Sequence, residues 1–327
     1  MTCVLMSANL RASRVPQSGA CTVSARLLTA PIGFAVIDKP PGLTSHACVA
    51  RIRRLLNIRR VGHGGTLDPA VTGVLPIAVG QATRLLPYLP GEKTYRGVIQ
   101  LGITTSTDDL EGEVMNRQTC PDLSIDQLEM ALALFRGPIQ QRPPQVSAVH
   151  VDGERAHARA RRGEHMDLPE RAITIHNLNL LNWAPEQAQL SVEVHCSAGT
   201  YIRSLARDLG MNLGCGGCLA SLRRTQALGF QESQAVPLPE RPGPGAAPED
   251  PEALPLLPPE AALQHLPQRR LSAGEQEDWS CGRRIMPGAD SESDAVVVLS
   301  DDGRMLGVGL PDETGGLRPK VVFEARG

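Results

Sequence analysis

Gly62-His63-Gly64-Gly65-Thr66-Leu67-Asp68-Pro69-Ala70-Val71-Thr72-Gly73-Val74-Leu75-Pro76-Ile77 sets a single aspartate among glycines, between a basic segment with helical spacing and an apolar run. Gly62, Gly64 and Gly65 permit positive φ and close approach of the backbone to a ligand, while Pro69 disfavours a helical Asp68, so Leu67-Asp68 is expected to be extended. A lone carboxylate is then displayed on a shaped loop, and Asp68 is the candidate catalytic residue. An Asp-Pro turn ahead of a buried strand has the same local pattern, and the flanking sequence has to decide between them.

On the N-terminal side, Phe34-Ala35-Val36-Ile37 reads as a short strand ending in the Lys39-Pro40-Pro41-Gly42 turn. Ser45 can then cap a helix with Val49, Ile52, Leu55 and Leu56 on one face. Arg51, Arg53, Arg54, Arg59 and Arg60 fall on its other face and exit, beside the Asp68 loop, and form a candidate phosphate-contacting surface. On the C-terminal side, Val74 to Val79 and Lys93 to Leu101 read as strands. Ser124 and Gln127 make a capping box for a helix with Leu128, Ala131, Leu132 and Phe135 on its apolar face, stopped by Gly137-Pro138. Leu190 to Cys196 alternates as a strand, and Gly199-Thr200 leads into a helix from Tyr201 to Leu209, closed by Gly210. Arg203 in the first turn opposes the macrodipole, so it calls for a carboxylate or phosphate partner.

Gly-Gly-Thr-Leu-Asp-Pro-x-x-Thr-Gly-Val-Leu-Pro resembles the signature of the bacterial tRNA pseudouridine-55 synthases, which isomerise a uridine in the T loop of tRNA. Asp38-Lys39-Pro40-Pro41-Gly42-Leu43-Thr44-Ser45, Lys93-Thr94-Tyr95, Gly199-Thr200-Tyr201-Ile202-Arg203-Ser204-Leu205 and Leu222-Arg223-Arg224-Thr225 match the family in order, from about Gly33 to the C-terminus. The resemblance implies an α/β (α+β) fold of the pseudouridine synthase kind, a mixed, largely antiparallel sheet with packed helices, followed by a small C-terminal β domain of PUA type. It implies catalysis by Asp68, with Tyr95 against the target base and Arg203 paired to the aspartate. His63 would stand near the space the flipped base vacates, and Lys39, Tyr201, Arg59 and Arg60 join it as expected RNA contacts. Gln141-Arg142-Pro143-Pro144-Gln145-Val146-Ser147-Ala148-Val149-His150 resembles a further family segment, except that Val146 replaces a tyrosine and His150 a lysine.

Composition sets the remaining limits. The 327 residues exceed one ordinary domain, so a larger domain plus a smaller one is expected. No apolar run approaches the roughly 20 residues of a membrane span, so a membrane protein is not expected. Aromatic residues make up 3%, which leaves base stacking to a few rings, such as Tyr95 and Tyr201, or to arginine planes. Residues 1–239 carry a balance of +5 and residues 240–327 one of −7, so the first part is the candidate polyanion binder and Arg155, Arg159, Arg161 and Arg162 could follow an RNA backbone. Of eight cysteines only Cys215 and Cys218 have metal or redox spacing, and a zinc site needs about four ligands, so reduced cytoplasmic thiols and no metal are expected.

The expected organisation is an N-terminal extension or over-long gene start over 1–30, a catalytic domain over 31–235, a Pro-rich linker over 236–259 and a small β tail over 260–327. The chain is expected to act as a monomer on the T arm of tRNA, without cofactor. Two other classes compete. One is a non-catalytic RNA-binding protein on the same scaffold, against which Asp68, Tyr95 and Arg203 speak. The other is a metal-dependent phosphodiesterase using Asp108, Asp109 and Glu111, a cluster read here as a turn because it lacks the alternation of a calcium loop.

Overall fold

The computed structural model describes residues 31–147, 149–151, 153–160, 162–240, 254–286 and 294–323. The expected 1–30 extension and residues 241–253 of the expected linker lie outside the described residues. Through the middle of the fold runs a ten-stranded sheet. Its main path, in order across the sheet, is Val236–Pro237, Gly33–Lys39, Thr72–Val79, Gly217–Ala227, Lys93–Leu101, Gln189–Cys196, Arg171–Ala184 and Gly137–Gln141. Only Gly33–Lys39 with Val236–Pro237, and Thr72–Val79 with Gly217–Ala227, pair in parallel; the rest of the sheet is antiparallel. This is the mixed, largely antiparallel sheet the resemblance implied.

The helix Ser45–Leu55 buries Cys48, Val49, Ile52 and Leu55 against one face of the sheet, as its spacing predicts. Its cap differs from expectation. Thr44 Oγ1 accepts the Ala47 N–H (3.0 Å), and the buried Ser45 hydroxyl is taken up by the Asp68 loop instead. The capping box of Ser124 and Gln127 forms as read, opening the helix Ile125–Ala133. The helix after Thr200 runs Ile202–Asn212, so Gly210 lies inside it rather than closing it. A β-carbon at Gly210 would sit 2.2 Å from the Gly217 nitrogen, so glycine is needed there to let the next strand's backbone lie on the helix.

The C-terminal segment holds a four-stranded sheet, ordered Gln268–Arg270, Val296–Leu299, Met305–Pro311 and Leu317–Val322. It is not purely β. A helix at Ala273–Ser280 buries Trp279, whose indole N–H donates to the Leu306 carbonyl (3.2 Å). The segment shares one apolar core with the main sheet, in which Phe34, Val36, Leu85 and Phe230 pack with Leu263, Val297, Val308 and Phe323. Gln81 and Arg84 also donate to the Phe323 and Val322 carbonyls (2.7 and 2.9 Å).

Candidate active site

Three groups fasten the Asp68 loop. The Ser45 hydroxyl donates to the Leu67 carbonyl (3.2 Å) and accepts the Leu67 N–H (2.8 Å). Lys39 Nζ donates to the Pro69 and Pro40 carbonyls (2.9 and 2.8 Å), and the Gly42 N–H also reaches the Pro69 carbonyl (2.9 Å). Asp68 stands between two anchored residues, so its backbone is held while its side chain keeps 46% exposure. Gly73 ends the loop at φ +100°, where a β-carbon would lie 2.2 Å from the Arg224 carbonyl oxygen. Glycine alone lets the Gly217–Ala227 strand come alongside there.

Arg203 reaches Asp68 from the start of the Ile202–Asn212 helix. Its Nη2 lies 2.9 Å from Asp68 Oδ2 and donates to the Val146 carbonyl (2.9 Å), and its Nη1 donates to the Thr107 carbonyl (2.9 Å). With only 7% exposure, the guanidinium is locked in one orientation. Its Nε faces Asp109 Oδ2 at 3.6 Å. Asp109 is held in turn, its Oδ1 accepting from the Thr107 hydroxyl (2.5 Å) and the Glu111 N–H (3.1 Å). Neighbouring Asp108 pairs with Arg207 (2.8 Å). The acidic cluster is a turn, as read, but sequence reasoning did not bring it to the site.

A cavity of about 290 Å³ opens beside the carboxylate, lined among others by Asp68, Lys93, Tyr95, Tyr201, Arg203 and Leu222. That is near the lower end of ligand-pocket volumes, about 300 Å³, and suits one extruded nucleotide better than a helix. Tyr95 is buried on its strand, and burial pushes its phenol up, with Arg224 opposing. Burial likewise lowers Lys93, helped by the Arg224 charge. Among the described residues, no group of three or more His, Cys, Asp or Glu side chains is arranged to hold a metal ion.

The structure thus brings Asp68, Tyr95, Tyr201 and Arg203 to one cavity. His63 does not line it. It is half-buried with Nδ1 unpaired, and its pKa is lowered by burial, then by Arg224 and His46. Lys39 is fully buried, so it braces the loop from within instead of meeting RNA at the surface. Arg59 and Arg60 are exposed beyond the basic helix. Lys93 and Leu222 stand inside the quoted motifs without an assigned role, while Ser45 reads in sequence only as a helix cap and Asp109 only as part of a turn. Val146 reaches the site through its carbonyl, which any residue supplies, and His150 is exposed. In the second arginine stretch the two described side chains, Arg159 and Arg162, are paired with glutamates. Arg162 is clasped by Glu154 (2.6 and 2.8 Å) and Glu164 (2.8 Å), and Arg159 by Glu164 (2.8 Å), while Arg161 lies outside the described residues.

Comparison with known proteins gives the family. Residues 53–202 match the model of the TruB family pseudouridylate synthase N-terminal domain, 203–240 the tRNA pseudouridylate synthase B C-terminal domain, and 267–323 the pseudouridine synthase II TruB C-terminal model. A protein named tRNA pseudouridine synthase B from Synechococcus sp. (strain WH7803) is 85% identical over 92% of this chain and its own full length. One of the same name from Prochlorococcus marinus (strain MIT 9313) is 55% identical over the same shares. Among solved structures, a Cbf5-Nop10-Gar1 complex aligns at TM-score 0.66 and 26% identity, covering 90% of this chain and 85% of that one. With the Asp68 loop, its arginine and the sheet that joins them all in place, the chain belongs to the TruB family of pseudouridylate synthases.

Proposed function

We propose that the chain converts uridine-55 in the T loop of tRNA to pseudouridine, with Asp68 as nucleophile. The observation that carries this reading is a reachable carboxylate, fixed by its loop and held by a buried arginine, at the mouth of a nucleotide-sized cavity. The reaction is an isomerisation. The enzyme carboxylate attacks the nucleotide, the bond from C1′ to N1 breaks, the base turns, C1′ bonds to C5, the C5 proton leaves to solvent, N1 takes up a proton from solvent, and the carboxylate is released. Atoms balance without an external reactant.

The target nucleotide has to leave its stack to reach such a cavity. Tyr95 and Tyr201 line the cavity, and in this reading Tyr95 lies against the extruded base while Tyr201 forms another wall. Arg203 orients Asp68, and Asp109 orients Arg203 from behind. Arg54, Arg59 and Arg60, all exposed, supply charge for the phosphates of the T arm. The described residues of one chain supply every group named here, and the cytoplasm is the compartment where tRNA would be met.

The test is to incubate the protein with an unmodified tRNA transcript and with an isolated T-arm stem-loop, then map pseudouridine in each. The reading requires product at position 55 of both and none when that uridine is replaced by cytidine. Product at another position, or none with either RNA, would overturn it.

A further inference from the structure

Arg224 has no part in the reaction as described so far, yet its place in the sheet is unusual. It is buried with 0% exposure at the centre of the sheet, where it stands opposite Gly73 on the parallel neighbour and opposite Tyr95 on the antiparallel one. Directly opposed residues of an antiparallel pair project to the same face with β-carbons about 5 Å apart, so guanidinium and phenol are side-by-side neighbours. Its Nε donates to the Val74 carbonyl (2.8 Å) and its Nη2 to the Gly65 carbonyl (3.2 Å). Those residues flank the Asp68 loop, so one planar group ties both of its ends. Nη1, also buried, makes no bond of full hydrogen-bond geometry and lies 3.3 Å from where a β-carbon on Gly65 would be, although the guanidinium already interacts with the Tyr95 phenol by charge and by a side-chain hydrogen bond. Gly65 and Tyr95 both line the cavity.

A buried guanidinium N–H whose hydrogen bond is incompletely made is costly and is seldom retained without a use. We propose that Arg224 is a positioning residue for the reaction: while Nε and Nη2 hold the two ends of the Asp68 loop, Nη1 closes its contact with the Tyr95 phenolic oxygen to a full hydrogen bond in the substrate-bound enzyme and fixes the ring against the base. Nucleophile loop and ring are thereby set relative to one another by a single side chain. Arginine suits this and lysine does not, because the three contacts need donors spread over a rigid plane. The electrostatics agree, since Arg224 is the largest influence opposing the burial that raises the Tyr95 phenol. The inference rests on the role proposed above for Tyr95.

The experiment has two arms. In the first, single-turnover rates at saturating tRNA are measured for wild type, Arg224→Lys, Tyr95→Phe and the double variant. Arg224→Lys should slow the bound-state step at least about tenfold while changing tRNA Kd less than about threefold, and in the Tyr95→Phe background the same change should cost at least about threefold less than in wild type, the remainder being the contacts to the loop ends. A loss that multiplies in full in both backgrounds would show a purely structural role and overturn the proposal. The second arm needs no arginine variant: the ¹⁵N resonances of the Arg224 guanidinium are compared in tRNA-bound wild type and Tyr95→Phe. They should move when the hydroxyl is removed, and unchanged resonances would overturn the proposal even if Arg224→Lys failed to fold. If wild type made no pseudouridine, the proposed function would fail, and this arm would still report the contact.

Discussion

Replacing Arg203 with lysine keeps the charge beside Asp68 but removes the fork that holds it. The guanidinium is anchored by Nη1 on the Thr107 carbonyl and Nη2 on the Val146 carbonyl, each at 2.9 Å, with 7% exposure. An ammonium concentrates its donors at one point, so it cannot bond Asp68 and both carbonyls in that geometry. Hydrogen bonds from charged groups contribute roughly 1.5–3 kcal/mol each, so the loss of one or two in a buried site is about 3 kcal/mol. The estimate rests on the carbonyl bonds, because the ion pair to Asp68, itself 46% exposed, is weakened by solvent screening. At 1.36 kcal/mol per tenfold, the chemical step should slow about 10²-fold. The assay is tritium release from tRNA carrying 5-tritiated uridine, in single turnover at saturating enzyme, with tRNA affinity from filter binding. Affinity should hold within about threefold. A rate within threefold of wild type, or a loss confined to affinity, would refute the positioning argument.

Salt dependence separates free from paired arginines. Arg54→Ala, Arg59→Ala and Arg60→Ala should each reduce the slope of log affinity against log salt by about one, whereas Arg162→Ala, already clasped by Glu154 and Glu164, should leave it nearly unchanged. Equal effects at both places would contradict the assignment. Because burial, Arg224 and His46 hold the His63 pKa below the ordinary 6.5, the unfolded chain takes up a proton that the folded one resists. Stability should therefore fall as pH drops through and below about 6.5, and urea unfolding of His63→Gln should show a shallower fall than wild type; identical pH profiles would dismiss the effect. Deleting 260–327 would uncover Phe34, Val36, Leu85 and Phe230, so the truncated chain should melt at markedly lower temperature or aggregate. An unchanged melting temperature would show that the shared core contributes little.

What could be read before the structure was local. The Asp68 loop, the strand carrying Tyr95 and the helix start carrying Arg203 each announce themselves through glycine, proline, alternation or capping within a dozen residues. Gly210 shows the limit. A glycine that ends a helix and one that admits a neighbouring strand look alike in sequence, and only the Gly216-Gly217 backbone against it tells them apart. Thr44 and Ser45 offered two adjacent hydroxyls for one cap, and burial recruited the second to Leu67. Asp109 meets Arg203 only because its segment bridges to Leu219 beside the main sheet, a pairing with no local signature. Lys39 was misplaced because a lysine is ordinarily exposed, and although Pro40 is its neighbour, nothing near it in the chain shows that the Pro69 carbonyl also holds it inside. Arg162 is different: Glu154 and Glu164 lie close enough in sequence for their ion pairs to have been anticipated.

The most direct measurement is on Asp68→Asn, which preserves the shape of the side chain and removes only its nucleophilic charge. The loop contacts through Ser45, Lys39 and Gly42 involve the flanking residues Leu67 and Pro69, so the variant should fold and bind tRNA as wild type does. In single turnover with 5-tritiated tRNA, across the pH range, it should form no detectable pseudouridine. Turnover at a rate comparable to wild type would contradict the assignment of Asp68 as the nucleophile.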